Sequence, residues 1–397
     1  MRISTAQIFS LSLNQMNSAL NDVSKLTMMN ASQKRINSPS DDPAGMGRVV
    51  ELSAYESSLS GYIDNCGTAL DYLGTADQSL STASETITAA LELCEQGSTE
   101  TYTDDELKMM ALEMEGYLDA LYAIANTQLG SDSLFAGDDI GDNAYEMGLG
   151  VTLSNDSLHH ADFVSLSGEV DGTVAVRFTS DGTVGADALD YEYSTDGGET
   201  WTQSALAPGD TVLDLGDAQV ELASGTAVTA SNGEGDGSLF HLREACVYTG
   251  SAKAMSVAVS ESTSEDMNTV GSDIFGGVDD STGQPFDSPN LFETLSDCIV
   301  YMENGDHEGV ARCLEVLGDC HETVETGAAD IGARENKVSY TQTSLSLVKE
   351  LAANSISREE DADATQLVVE LEQANYVYEA VLSTSSSIMS MSLLDYI

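Results

Sequence analysis

A heptad pattern sustained from Pro43 to Cys94 constrains this chain more than any other feature. Alternating steps of four and three from Leu52 land on Leu52, Glu56, Leu59, Ile63, Cys66, Leu70, Leu73, Asp77, Leu80, Ser84, Ile87, Leu91 and Cys94, and ten of these thirteen are apolar. With no proline inside it, the segment is predicted to form one long helix that shows a narrow apolar seam to partner helices. At 1.5 Å per residue such a helix is about 75 to 80 Å long, and it cannot bury that seam alone. SPSDDPAG marks its start: Ser40 is the expected N-cap, Asp41 and Asp42 suit the positive helix end, and Pro43 fits the first turn. Gly61, Gly67 and Gly74 each cost about 1 kcal/mol relative to alanine, so close packing or local bending must offset them.

The same spacing recurs at both ends. Phe9, Leu13, Met16, Leu20 and Val23 follow it in an amphipathic helix over residues 1–35, with Leu26 shifting the stripe. Leu367, Leu371, Ala374, Tyr378, Val381 and Ile388 carry it near the C-terminus, so the two ends are predicted to zip together. Between them, Thr103 opens a capping box with Glu106, and Leu107, Met110, Met114, Leu118, Leu121 and Ala125 make a second helix folding back on the long one. From Leu291 the pattern returns through Leu295, Cys298, Met302, Val310, Cys313, Leu317 and Val324. A C-terminal helix marked by Ile331, Val338, Leu345, Val348 and Ala352 then closes the bundle.

Between Glu146 and Asn268 the composition shifts to Gly, Thr, Val, Asp and Ser, with alternating runs such as TVAVRF and QVEL bounded by glycine turns. This reads as a β-rich inserted domain. The expected divisions are 1–40, 41–145, 146–268, 269–355 and 356–397. Inside the insert, STDGGETW at Ser194–Trp201 matches the Asp-box pattern: Asp196 and the glycines shape a hairpin turn and Trp201 packs beneath it. A structural turn is the favoured reading. A sialidase-like domain needs several arginines for a carboxylate, and the insert offers Arg177 and Arg243.

Charge bounds the partners. Against 67 acidic residues stand 14 basic ones, a net of −53, with no basic patch, which argues against nucleic acid or an anionic membrane as partner. The acidic residues are spread along the chain without an EF-hand spacing, so a solvated surface suited to high salt is favoured over cation binding. No run approaches eighteen apolar residues, so no membrane span is expected. The first residues lack a signal-peptide pattern, leaving the cytoplasm or export by another route. Six cysteines without CxxC spacing, five in predicted helices, read as buried reduced thiols.

Catalytic motifs fail on inspection. HExxH breaks at His307 and at His321, because Ala311 and Glu325 stand where the second histidine is required. Cys313, Cys320, His307 and His321 suggest a metal site only weakly, since the cysteines lie on the apolar stripe. No phosphate-cradling loop or nucleophile elbow occurs. Neither a catalytic residue, a metal nor a cofactor is expected.

An ordered set of motifs runs through the chain: MRIST, KRINSPSDDPAG at Lys34–Gly45, ANTQ at Ala125–Gln128, SLFAG at Ser133–Gly137 and GSDIFGG at Gly271–Gly277. DIGARENKV at Asp330–Val338, SREEDADATQLVVEL and the terminal SLLDYI complete it. Together they resemble the flagellin superfamily over the outer two thirds of the chain. Within it they favour the hook-associated junction members over filament flagellins, which usually read DDAAG. NASQKRI departs from the family pattern, placing Gln33 where glycine is expected.

The resemblance implies a mainly α fold with a β insert: a long antiparallel coiled-coil bundle built from both terminal regions, displaying a β-rich domain outward. It implies a self-assembling structural protein of the extracellular flagellum, exported by the flagellar type III route, and no enzyme. The implied partners are copies of itself in a ring, an adjacent hook-associated junction protein, flagellin and a flagellar export chaperone. Its assembly interface would be Phe9, Leu13, Met16, Leu20 and Val23 facing Leu371, Tyr378, Val381 and Ile388, a coiled coil formed on assembly. The alternatives are a filament flagellin, or a secreted glycan-binding or glycan-processing protein acting through the insert.

Overall fold

A computed structural model describes residues 5–99, 101–231 and 236–394, with the side chains of Thr5, Ala6 and residues 388–394 outside that description. Its helices are α1 (Thr5–Ser32), α2 (Pro43–Gly97), α3 (Asp104–Ala125), α4 (Ser272–Phe275), α5 (Leu291–Glu303), α6 (His307–Glu360) and α7 (Ala364–Leu394). Two compact units result: residues 1–64 with 342–397, and residues 65–341. The divisions fall inside α2 and α6, continuous helices with residues in both units.

In the first unit α1 and α7 pack side by side. They run antiparallel, because the end of α1 meets the start of α7 at an antiparallel bridge between Lys34 and Asp361. The terminal helices are thus already paired within one chain, where the sequence suggested that their seam forms on assembly. Among the described residues, Ala19, Ile36, Val49, Leu59, Ala352 and Leu367 are the buried apolar residues of this unit. The cap of α2 is Asp42, not Ser40. Pro43 presets φ at the first helical position, so the capping residue is the one before it. Asp42 Oδ1 accepts from the Gly45 N–H at 2.9 Å, while the Ser40 hydroxyl is engaged with Ser38 at 2.8 Å.

The second unit joins a helical layer to a β-rich part. Along α2 a buried seam runs through Cys66, Ala69, Leu73, Ala76, Leu80, Ala83, Ile87, Ala90 and Cys94, with leucine or isoleucine alternating with alanine from Ala69 to Ala90 and with Tyr72 and Leu93 buried beside it. The capping box at the start of α3 forms, with the Glu106 carboxylate accepting from the Thr103 N–H at 2.9 Å. Asn290 caps α5 and its Oδ1 also accepts from the Gly277 N–H at 2.7 Å.

The β-rich part is a pair of facing sheets. Its main strands are β1 (Tyr145–Leu153), β2 (Phe163–Gly168), β3 (Val174–Phe178), β4 (Leu189–Ser194), β5 (Thr202–Leu206), β6 (Val212–Asp214), β7 (Ala218–Leu222), β8 (Leu239–Tyr248) and β9 (Val278–Asp279). One sheet has the order β1-β8-β3-β4-β5, with β9 parallel to the end of β8; the other has the order β2-β7-β6. Strands β1 and β8 pair from Phe240 opposite Leu153 to Tyr248 opposite Tyr145. The core between the sheets holds Val176, Phe178, Tyr191, Val220, Phe240 and Leu242, and Phe163 meets Phe240 edge to face at 5.0 Å.

Arg243 ties β8 to α5. Its guanidinium is buried and donates to Glu293 Oε2 and Asp297 Oδ1, each at 3.0 Å, and through Nε to Thr152 Oγ1 at 2.7 Å. Burial works against the charged guanidinium, but the two facing carboxylates outweigh it and keep Arg243 protonated. Removing one member would leave an uncompensated buried charge.

Candidate assembly surface

Two joints organise the chain, and the signature motifs form both sides of each. In the first unit, KRINSPSDDPAG lies against SREEDAD. The Arg35 N–H donates to Glu360 O at 2.6 Å and the Ala362 N–H to Gln33 O at 3.0 Å. Lys34 pairs with Glu360 at 2.7 Å, Arg48 with Glu359 at 2.9 Å, Lys25 with Asp41 at 3.2 Å and Arg35 with Asp42 at 3.6 Å. Hydrogen bonds from the Ser38 backbone and hydroxyl, with Lys25 beside them, hold the Asp41 carboxyl below its ordinary range. The Gly45 N–H and then Arg35 do the same for Asp42, and Arg48 does it for Glu359. Exposed pairs of this kind are screened by water and add little to stability. Ile36, 1% exposed beneath them, contributes about 1.5 to 3 kcal/mol by burial. Apolar burial therefore holds the joint and the ion pairs set its register. A Cβ on Gly45 would stand 2.7 Å from Ile36 Cδ1, which explains the glycine there.

In the second unit SLFAG packs on GSDIFGG. The Gly271 N–H donates to Phe135 O at 2.8 Å, and Phe135 meets Phe275 edge to face at 5.3 Å. A side chain at Gly271 would stand 2.9 Å from the Phe135 carbonyl oxygen. Asn126 of ANTQ brackets Tyr145 by accepting from its N–H at 2.9 Å and donating to its carbonyl at 3.0 Å.

Sequence comparison matches both ends of the chain, covering both sides of the first joint and the SLFAG side of the second. The bacterial flagellin N-terminal helical region matches residues 3–139, and the bacterial flagellin C-terminal helical region matches residues 314–397. The chain is a member of the flagellin superfamily. As such it is a structural protein of the bacterial flagellum. No curated protein matches the full sequence. Among solved structures, one from Vibrio parahaemolyticus described as a flagellar hook-associated protein aligns over 81% of this chain and 100% of its own, at 14% identity and a TM-score of 0.49. The flagellar junction protein FlgL from Legionella pneumophila aligns over 79% and 99%, at 11% identity and a TM-score of 0.36. Bacillus cereus FlgL aligns over 77% and 99%, at 12% identity and a TM-score of 0.44. These likenesses are too low to bear on the function of this chain.

On α7, Leu371, Ala374, Tyr378 and Val381 are partly buried in the four-three spacing with Leu367 sealed at its start; the Ile388 side chain lies outside the described residues. On α1, Met16 and Val23 are partly buried and belong to the seam, but the other covered positions in step with them are Ser12, Ala19 and Leu26. Phe9, Leu13 and Leu20 instead stand 42%, 39% and 46% exposed. Small Ala19 lets the helices approach, and the bulkier neighbour one residue on is turned to the flank. Leu26, which shifts the stripe in the sequence, is the signal that could have corrected it.

Exposed apolar surface gathers in the first unit. Of the 21 large apolar side chains exposed among the described residues, 15 belong to residues 1–64 and 342–397. On α7 they include Val368, Val369, Val377 and Tyr376, the last 74% exposed. Large apolar side chains left exposed on one unit are the kind of surface against which another chain packs.

The insert offers no comparable chemistry. Asp196 closes the turn between β4 and β5: it accepts from the Thr200 N–H at 2.9 Å and from the Ser194 hydroxyl at 2.7 Å, and these bonds, Thr200 first, pull its carboxyl down to about 2. Trp201 donates to Gly198 O at 3.1 Å and carries Arg177 over its ring at 3.9 Å. Arg177 is also bonded to Glu192, so both arginines available to a carboxylate ligand are engaged. His307 donates to Gly97 O at 2.7 Å and His321 meets Ser84 at 2.9 Å, in separate places. Among the described residues no group of three or more His, Cys, Asp or Glu is arranged to hold a metal.

Proposed function

We propose that this chain joins hook to filament, assembling with copies of itself in a ring through the outer faces of α1 and α7. The observation that carries the reading is the concentration of exposed apolar side chains on helices whose mutual seam is already closed. Phe9, Leu13 and Leu20 on α1 and Tyr376 on α7 meet the next copy, while Met16, Val23, Leu371, Tyr378 and Val381 hold the two helices of one copy together. DDPAG, with Pro43 at the first position of α2, favours the junction role over that of a filament flagellin. An adjacent hook-associated protein and flagellin are the neighbours above and below the ring. A flagellar export chaperone would cover the same apolar faces before export to the cell exterior.

The test is genetic. Cells lacking this chain are expected to carry hooks without filaments, restored by the wild-type chain but not by one with Phe9, Leu13 and Leu20 all changed to serine. Filaments of ordinary number and length in the deletion strain would refute the junction role. Full rescue by the triple variant would refute the interface.

A further inference from the structure

Three thiols converge where α2, α5 and α6 meet in the second unit. Cys94, in the last turn of α2, brings its sulfur to 3.1 Å from that of Cys298 in the middle of α5, and both are sealed from solvent. Cys298 also makes a thiol contact with Cys313 on α6. Cys313 is the outermost of the three: with Asp297, Tyr301 and Arg312 it lines an open cleft of about 490 Å³. A pair of sulfurs this near closes to a covalent bond with small side-chain rotations, and the third thiol leads from that pair to the cleft.

We infer that Cys94 and Cys298 form a disulfide, with Cys313 as the thiol through which a low-molecular-weight disulfide delivers the oxidation. The Cys313 thiolate attacks the small disulfide, giving a mixed disulfide and releasing one small thiolate. Cys298 attacks the Cys313 sulfur, expelling the second small thiolate. Cys94 then attacks the Cys298 sulfur and returns Cys313 to a thiol. In balance, two protein S–H bonds are lost and one S–S bond forms, and the small disulfide is reduced to two thiols that take up both protons. Contacts with Cys313 and Cys94, together with burial, push the Cys298 thiol well above its ordinary range. Exchange is therefore slow near neutral pH and faster in base. The bond closes a loop over the 204 positions separating the two cysteines, which contains α3 and the whole insert, so it restrains the unfolded chain. The inference rests on the packing of three helices and stands independently of the junction role.

The experiment treats the reduced full-length chain with oxidised glutathione at pH 8.5, counts free thiols after unfolding, and maps the linked peptides without reduction. Thiols are expected to fall from six to four, with Cys94 linked to Cys298 and the thermal midpoint raised by several degrees until reductant is added. Cys94→Ser should abolish the linkage, and Cys313→Ser should give the same linkage several-fold more slowly. Six remaining thiols, glutathione adducts alone, or a dominant Cys298–Cys313 bond would overturn the inference. So would an unchanged rate in Cys313→Ser. The mapping of the wild-type chain decides the linkage even if a variant folds poorly.

Discussion

Gln33 is the one non-glycine residue with a positive φ among the described residues, at 57°. The sequence marks it as a departure from a family glycine; the structure shows that the turn is kept and glutamine bears the left-handed backbone. That conformation costs an L-residue about 1 to 2 kcal/mol, partly offset here by the bond from its amide to Asn30 O at 2.6 Å. Gln33→Gly is expected to raise stability by up to about 1 kcal/mol in urea unfolding, the gain trimmed by the greater freedom of an unfolded glycine. His241 was invisible to sequence reading, because only the register of β8 places it. It lies 3.3 Å from the Ser154 hydroxyl and 3.3 Å from the Asn304 amide, and burial, with Arg243 adding, lowers it to about 4. The unfolded chain takes up this proton near pH 6.5 and the folded chain near 4, so stability is complete above 6.5 and falls as pH drops toward 4. The loss is on the order of 3 kcal/mol. His241→Asn should flatten that part of the pH–stability curve, and an unchanged slope would contradict the assignment.

Helices were legible from spacing; the phase of their seams was legible only in part. Positions Leu59, Cys66, Leu73, Leu80, Ile87 and Cys94 were placed correctly on the buried side of α2. From residue 69 onward, however, the second seam position is alanine, where stepping by fours and threes chose Leu70, Asp77, Ser84 and Leu91. Apolar bulk attracts the eye, but a close helix contact selects the small side chain. Ala83→Leu should therefore cost about 1 to 3 kcal/mol by overpacking. Ser84→Ala, which removes only the partly buried contact with His321, should cost about 1 kcal/mol. A larger loss for Ser84→Ala than for Ala83→Leu in thermal or urea unfolding would restore the sequence-based phase. The same one-residue offset separates Ala19 from Leu20 on α1. The capping box at Thr103 was read correctly because its partners are three residues apart. The cap of α2 was misplaced because SPSDD offers several candidate side chains and only geometry selects among them.

At the scale of the molecule, the sequence located a β-rich insert between helical ends but not the two facing sheets, whose order depends on pairings distant in the chain. Contacts divide the chain into its two units part-way along α2 and α6. The net charge of −53 keeps free chains apart, so apolar contact must supply the attraction that draws copies together. On the reading proposed above, that attraction resides where 15 of the 21 exposed large apolar side chains of the described residues lie. An electron cryo-microscopy reconstruction of the intact hook–filament junction tests this most directly. The account predicts Phe9, Leu13, Leu20 and Tyr376 buried against neighbouring copies, with α1 and α7 of each copy still paired. A ring in which those four side chains face solvent, its contacts made by the β-rich insert instead, would contradict it.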